Sequence, residues 1–247
     1  MQKKFPYFKL MLILTSYKII GQSHAKKMLG DILKAQEKYK HLIAGFDMVN
    51  EEEFTPQISS FAPILLGAQK KIHNMPCFFH AGETHDTQVT NIHAAVALNA
   101  KRIGHGFQLS QFPNLIQEVK KKDICIEICP LSNMVLGYTL DLRMHPCRFL
   151  LMHGVQGSIS SDDPGFFNYK GVTLDYVYVT LAWELDIADL KKLSLNGIIY
   201  SSIDEKQKVE MKKLFDEKWA AWIDMLNKLE IDGSHTIDDE CQSPPFK

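Results

Sequence analysis

The chain has 247 residues, 45% of them hydrophobic and 23% charged, which is enough apolar material for one large domain of the size at which α/β barrels occur. A formal charge of -1 and a pI near 6.8 exclude nucleic-acid binding by bulk charge, because phosphate neutralisation needs a clustered Lys/Arg excess. A small neutral partner fits better. Five cysteines, Cys77, Cys125, Cys129, Cys147 and Cys241, form no CxxC pair and leave one over in any full disulfide scheme, so they read as structural, mostly buried thiols.

The opening MQKKFPYFKLMLILTSYKII places lysines before an apolar run, as a signal peptide does, but Lys9 interrupts the run and no convincing small-residue cleavage site follows. Alternation predicts a strand over Phe8 to Ile20, and the run is too short for a membrane span. Ser23 can cap a helix to about Lys40. LIAGFDMV, Leu42 to Val49, is continuous and apolar apart from one aspartate, the pattern of a parallel strand covered on both faces. A helix is predicted over Ile58 to His73.

CFFHAGE, RIGHG, ICIEICP and VQGSISSDDP supply four more strands. Helical patterns at Gln88 to Asn99, Asn114 to Lys121 and Arg143 to His153 separate them, a βα repeat. Beyond Pro164 the chain turns helical in VTLDYVYVTLAWEL, DIADLKKLSLNGIIYSS and a long segment from Asp204 to Glu230. In the last of these, Met211, Phe215, Trp219, Trp222, Leu226 and Leu229 share one stripe at helical spacing, expected to pack against a barrel wall. One domain over 1–230 and a disordered tail over 231–247 are predicted.

The chemistry sits at strand ends. His80 and Glu83 finish CFFHAGE, His105 finishes RIGHG, and Asp162 and Asp163 finish VQGSISSDDP; in a parallel barrel such residues converge on one mouth. Imidazole with carboxylate suits a divalent metal, zinc by default for hydrolysis, and such a metal brings the pKa of bound water to roughly 7. A nearby carboxylic acid can then protonate a nitrogen. His85 and Asp86, just beyond, read as loop residues at the rim. Pro76-Cys77 has no second cysteine at the spacing of the H-x-E…P-C-x-x-C zinc deaminases, which excludes that type of site.

HAGE at His80 to Glu83, RIGHG at Arg102 to Gly106, ICPLSN at Ile128 to Asn133 and SSDDP at Ser160 to Pro164 resemble the adenosine deaminase family of metal-dependent hydrolases. With FFHAGET, RIGHGF, LRMHP and ISSDDPGFF, the likeness is greatest to its secreted, growth-factor-type branch, the adenosine deaminase 2-like proteins, over roughly residues 8 to 230. The resemblance implies a TIM (β/α)8-type barrel followed by C-terminal helices, and hydrolysis of adenosine or 2'-deoxyadenosine to inosine or 2'-deoxyinosine plus ammonia. His80 and Asp162 would be Zn2+ ligands, Glu83 the acid for adenine N1, and His105 the group that orients or deprotonates the zinc-bound water. Asp163 would bind the purine N7, with Gly82 also at the substrate. A purine nucleoside partner, a homodimer and an extracellular location are implied in the same way.

Two departures qualify these expectations. The family's first barrel strand carries an H-x-H pair of zinc ligands that occurs nowhere in this chain, and Phe8 to Ile20 aligns with the third strand. About six of the eight strands are therefore expected, with the first two and the dimerisation region absent, and zinc binding and activity are expected to be weak or lost. Asn50 stands where the family usually has glycine for close approach to the purine N3 edge, so its side chain is expected to narrow the pocket. The competing readings are a non-catalytic relative with a binding or growth-factor-like signalling role and an enzyme acting on a nucleotide, for which no basic cluster is evident.

Overall fold

The computed structural model describes residues 8–39, 41–71 and 76–228. Six parallel strands occur in chain order: β1 (Leu12–Tyr17), β2 (Ile43–Val49), β3 (Phe78–Ala81), β4 (Arg102–His105), β5 (Cys125–Ile128) and β6 (Gln156–Ile159). β1 pairs with β2, and β3 to β6 form a second sheet in sequential order. A parallel bridge between Phe46 and Cys77, and a hydrogen bond from the Phe46 N–H to the Pro76 carbonyl (3.1 Å), connect the two. Pro76 limits that junction because it has no N–H to extend a ladder. Gly45 permits it, since a Cβ there would collide with the Pro76 carbonyl oxygen. The six-stranded arc of an incomplete barrel agrees with the sequence reading, and the described residues do not close it.

Nine helices are described: α1 (Gln22–Tyr39), α2 (Ala62–Lys71), α3 (Asn91–Ala97), α4 (Pro113–Lys121), α5 (Pro130–Val135), α6 (Pro146–Met152), α7 (Thr173–Trp183), α8 (Ile187–Ile199) and α9 (Glu205–Leu226). Ala25, Leu29 and Ile32 of α1, Leu65 of α2, Ile92 and Ala95 of α3 and Ile116 of α4 join the strands in one core. Phe79, Ile103 and Ile126 are register partners in that core, while His80, Gly104 and Glu127 form the next row. The period-two alternation of a strand therefore turns His80 away from the core packing. Phe79 is fully buried. Phe79→Ala is expected to cost roughly 3–5 kcal/mol of unfolding free energy, read as a lower urea midpoint, whereas a loss below about 1 kcal/mol would show that face to be loosely packed.

Several predicted segments are longer than the observed ones. The strand expected over Phe8 to Ile20 gives way at Lys18–Ile20 to a 3-10 turn, and the helix expected from Ile58 begins as a 3-10 turn, Ile58–Phe61. α5 was not anticipated; Pro130 opens it directly after β5, at the position where a missing N–H costs nothing. The stripe on α9 is also corrected. α9 packs on α8, and Met211, Phe215, Trp219, Trp222 and Leu226 are half-buried, with none fully enclosed. Leu229, Cys241, the predicted tail and the first seven residues lie outside the described residues. Cys77, Cys125, Cys129 and Cys147 are buried, as expected.

Candidate active site

The site is assembled from the tips of the strands. Asp47, buried on β2, accepts hydrogen bonds through Oδ1 from the N–H of Met48 (2.6 Å) and of His80 (3.0 Å), and its Oδ2 lies 2.7 Å from His80 Nδ1. With Nδ1 engaged, Nε2 is the nitrogen left for a ligand, an arrangement by which carboxylates orient metal-binding histidines. Burial opposes charging of His80, but the Asp47 carboxylate, with Glu127 and Glu83 beyond it, outweighs burial and raises the imidazole to about 9.

β3 ends at Ala81, and Gly82 turns the chain at φ 80°, where a Cβ would press on Ile92 Cδ1 at 3.1 Å. The turn delivers Glu83. Its backbone N–H donates to Oε1 of the buried Glu52 (2.6 Å), whose Oε2 accepts from Asn91 Nδ2 (2.8 Å). The Glu83 carboxyl accepts from Asn133 Nδ2 (3.0 Å) on α5. Burial, then the Asp162 carboxylate, push it up to about 8, so at neutral pH Glu83 is largely a neutral acid.

His105 at the tip of β4 and Asp162 beyond β6 both take left-handed backbone conformations, φ 63° and φ 57°, which residues other than glycine seldom adopt. His105 Nδ1 lies 3.1 Å from Glu83 Oε1, and Nε2 lies 4.0 Å from Asp162 Oδ2. Burial, then His80 and His145, hold His105 down at about 3, keeping it neutral. Ser132 Oγ donates to Asp162 Oδ2 (2.7 Å). Asp162 is exposed as a residue, yet its side chain is only 22% accessible, because the loop backbone faces outward while the carboxylate turns in. Among the described residues, His80, His105 and Asp162 each offer one donor atom within 4.8 Å of one another. Nitrogen and oxygen donors so grouped suit zinc.

His80, Glu83, His105 and Asp162 are therefore brought together. Asp163 is exposed, and its carbonyl accepts from the N–H groups of Phe166 (2.9 Å) and Phe167 (3.0 Å). Asn50 adopts φ 125°, and its Oδ1 accepts from the Ile19 N–H (3.2 Å), which directs the amide toward the junction of β1 and α1. His85 is exposed at the rim beside the Tyr138 carbonyl (2.7 Å), and Asp86 is exposed next to it.

Asp47, Ser132 and Asn133 have no assigned role in the sequence reading, although LIAGFDMV and ICPLSN contain them, and Glu52 lies outside every motif. Lys18 was also passed over. It is fully buried with no hydrogen bond to Nζ among the described residues. Burial lowers its pKa, and the fields of Glu52, Glu51, Asp47 and Glu83 offset only part of that shift.

The sequence profile of the adenosine deaminase family matches residues 8–218. The chain is 39% identical over 199 residues to adenosine deaminase 2 of Dictyostelium discoideum, covering 78% of this chain and 37% of that protein. It is 37% identical over 220 residues to human adenosine deaminase 2, covering 83% and 43%. The chain thus spans less than half the length of these curated relatives. Among solved structures, a zinc-bound amidohydrolase from Burkhoderia ambifaria superposes with a TM-score of 0.75 at 21% identity, over 92% of this chain and 61% of that one. Adenine deaminase from Arthrobacter aurescens gives 0.74 at 21%, over 90% and 64%; at that identity these likenesses speak to the fold alone. With a profile match spanning most of the sequence and with 39% and 37% identity to these two relatives, the chain belongs to the adenosine deaminase family, on its adenosine deaminase 2-like side.

Proposed function

We propose that the chain carries the acid side of a zinc-dependent site for hydrolytic deamination of adenosine or 2'-deoxyadenosine, giving inosine or 2'-deoxyinosine and ammonia. The observation that carries this reading is the convergence of four side chains at the strand tips, with Glu83 Oε1 3.1 Å from His105 Nδ1 and donor atoms of His80, His105 and Asp162 within 4.8 Å of one another. Glu83 donates its proton to purine N1, which leaves C6 electron-poor; water adds at C6 and gives one proton to the Asp162 carboxylate, the amino group takes that proton and departs as ammonia, and the remaining hydroxyl proton returns to Glu83 as the C6 carbonyl forms. His105 and Asp162 orient the attacking water, and Asp163 faces the purine N7. Gly82 and Asn50 border the base. His80 and Asp162 would hold the zinc, which supplies, when bound, a water acidic enough to attack near neutral pH.

Export from the cell and homodimer formation belong to the same proposal and rest on the likeness to adenosine deaminase 2. Among the described residues no helix is long and apolar enough to cross a membrane. In excess zinc, the chain is expected to release ammonia slowly from adenosine and 2'-deoxyadenosine and none from cytidine, measured by chromatography of the nucleosides. Turnover of cytidine, or of adenosine 5'-monophosphate in preference to adenosine, would overturn the assignment.

A further inference from the structure

ICPLSN and LRMHP carry two buried polar side chains that the reaction above leaves unused, Asn133 (1% exposed) and His145 (2% exposed). His145 is the N-cap of α6, and its Nδ1 accepts the Cys147 N–H at 3.1 Å. A nitrogen that accepts carries no proton, so the proton of the neutral ring is on Nε2. That N–H meets Asn133 Oδ1 at 3.1 Å. The Phe107 and Trp183 rings lie near the imidazole, with centroids at 6.1 and 5.7 Å, and burial keeps His145 neutral by lowering it to about 4.

The amide of Asn133 then has one possible orientation. Its oxygen faces His145, so its amino group faces the site, donating to Glu83 Oε1 (3.0 Å) and lying 3.3 Å from His105 Nδ1. An amide nitrogen can only donate, so the 3.3 Å contact is a hydrogen bond when His105 Nδ1 accepts. We propose that Asn133, locked by His145, is a positioning residue that keeps the His105 proton on Nε2 and holds the Glu83 carboxyl beside Nδ1. The 3.1 Å contact between Glu83 Oε1 and His105 Nδ1 fits this arrangement while the carboxyl keeps its proton, which turns from Nδ1 to purine N1 when the base binds.

The arrangement separates two roles that the residue types leave open. To ligate a metal, His105 would have to give up the Nε2 proton or move it to Nδ1, where the Asn133 amino group opposes it, whereas His80 keeps Nδ1 on Asp47 and need only release the proton of Nε2. The arrangement therefore favours His80 and Asp162 as the ligand set. Toward a water in the cleft, Nε2–H is a donor that orients rather than a base that removes a proton. These roles rest on the deaminase reading; the tautomers do not.

The test is two-bond proton–nitrogen NMR of the metal-free full chain with ¹⁵N-labelled histidine, near neutral pH. Both His105 and His145 are expected in the Nε2–H form. Asn133→Asp presents an acceptor where the amino group stood and is expected to move the His105 proton to Nδ1, whereas His145→Gln, which retains a donor toward Asn133, is expected to leave it on Nε2. A wild-type His105 carrying its proton on Nδ1 overturns the relay even if the variants fail to fold. So does a folded Asn133→Asp with an unchanged His105. Because no turnover is read, failure of the deaminase proposal would not be mistaken for failure of this one.

Discussion

Glu83→Gln is expected to reduce inosine formation by on the order of 10²–10⁴-fold, the range lost with a general acid, and to leave zinc content unchanged. Glutamine keeps the shape and the bond from Asn133 but has no acidic proton for purine N1. Loss of zinc together with activity would instead place Glu83 in the metal's coordination. The same substitution has a consequence for folding in the metal-free chain. The Glu83 carboxyl titrates near 8 in the fold against an ordinary value of 4.5. The native state therefore holds a proton that the unfolded chain releases, and stability falls as pH rises from about 4.5 to about 8. Glutamine removes that slope. Its advantage over the wild-type chain is expected to be near zero below pH 4.5 and to grow to a few kcal/mol, on the order of 3, above pH 8. Parallel denaturation profiles for the two proteins across this window would mean that Glu83 is already ionised in the native state.

Zinc is expected to bind the chain by itself only weakly, because catalytic zinc sites use three protein ligands plus water and the His105 tautomer favours a set of two donors, His80 and Asp162. Competition against a chromophoric chelator should give a Kd in the micromolar range or weaker, and deamination should be correspondingly slow. Fusing a segment that carries the family's H-x-H pair ahead of β1 is expected to raise both affinity and rate by several orders of magnitude, since it supplies the missing nitrogen donors. Tight stoichiometric binding before that addition would show that the chain completes its coordination some other way, and no gain after it would show that the arc cannot dock the added strand.

His80, Glu83, His105 and Asp162 were legible because each follows a short apolar run, and a strand in a parallel barrel can deliver such residues only to its mouth. The six strands were legible for the same reason. Asp47 was not, since one acid within LIAGFDMV has the same appearance whether it is paired or misplaced, and its partner His80 is 33 positions away. α5 was missed because six residues are too few to reveal a 3.6-residue period. The orientation of Asn133 depends on His145, which approaches through the packing of α6 and not through spacing. The α9 stripe misled because periodicity reports an apolar face without saying what covers it; α8 covers only part of that face.

The left-handed backbones of His105 and Asp162 set folding and function against each other. At φ 63° and φ 57°, a glycine would be the more comfortable residue, and the surrounding fold holds an imidazole and a carboxylate there at a cost of about 1–3 kcal/mol each. Random mutagenesis screened for thermal stability should therefore enrich glycine, and after it asparagine, at these two positions. A screen for turnover should reject them, so these two left-handed residues of the mouth are where selection for a sturdier protein would dismantle the enzyme first.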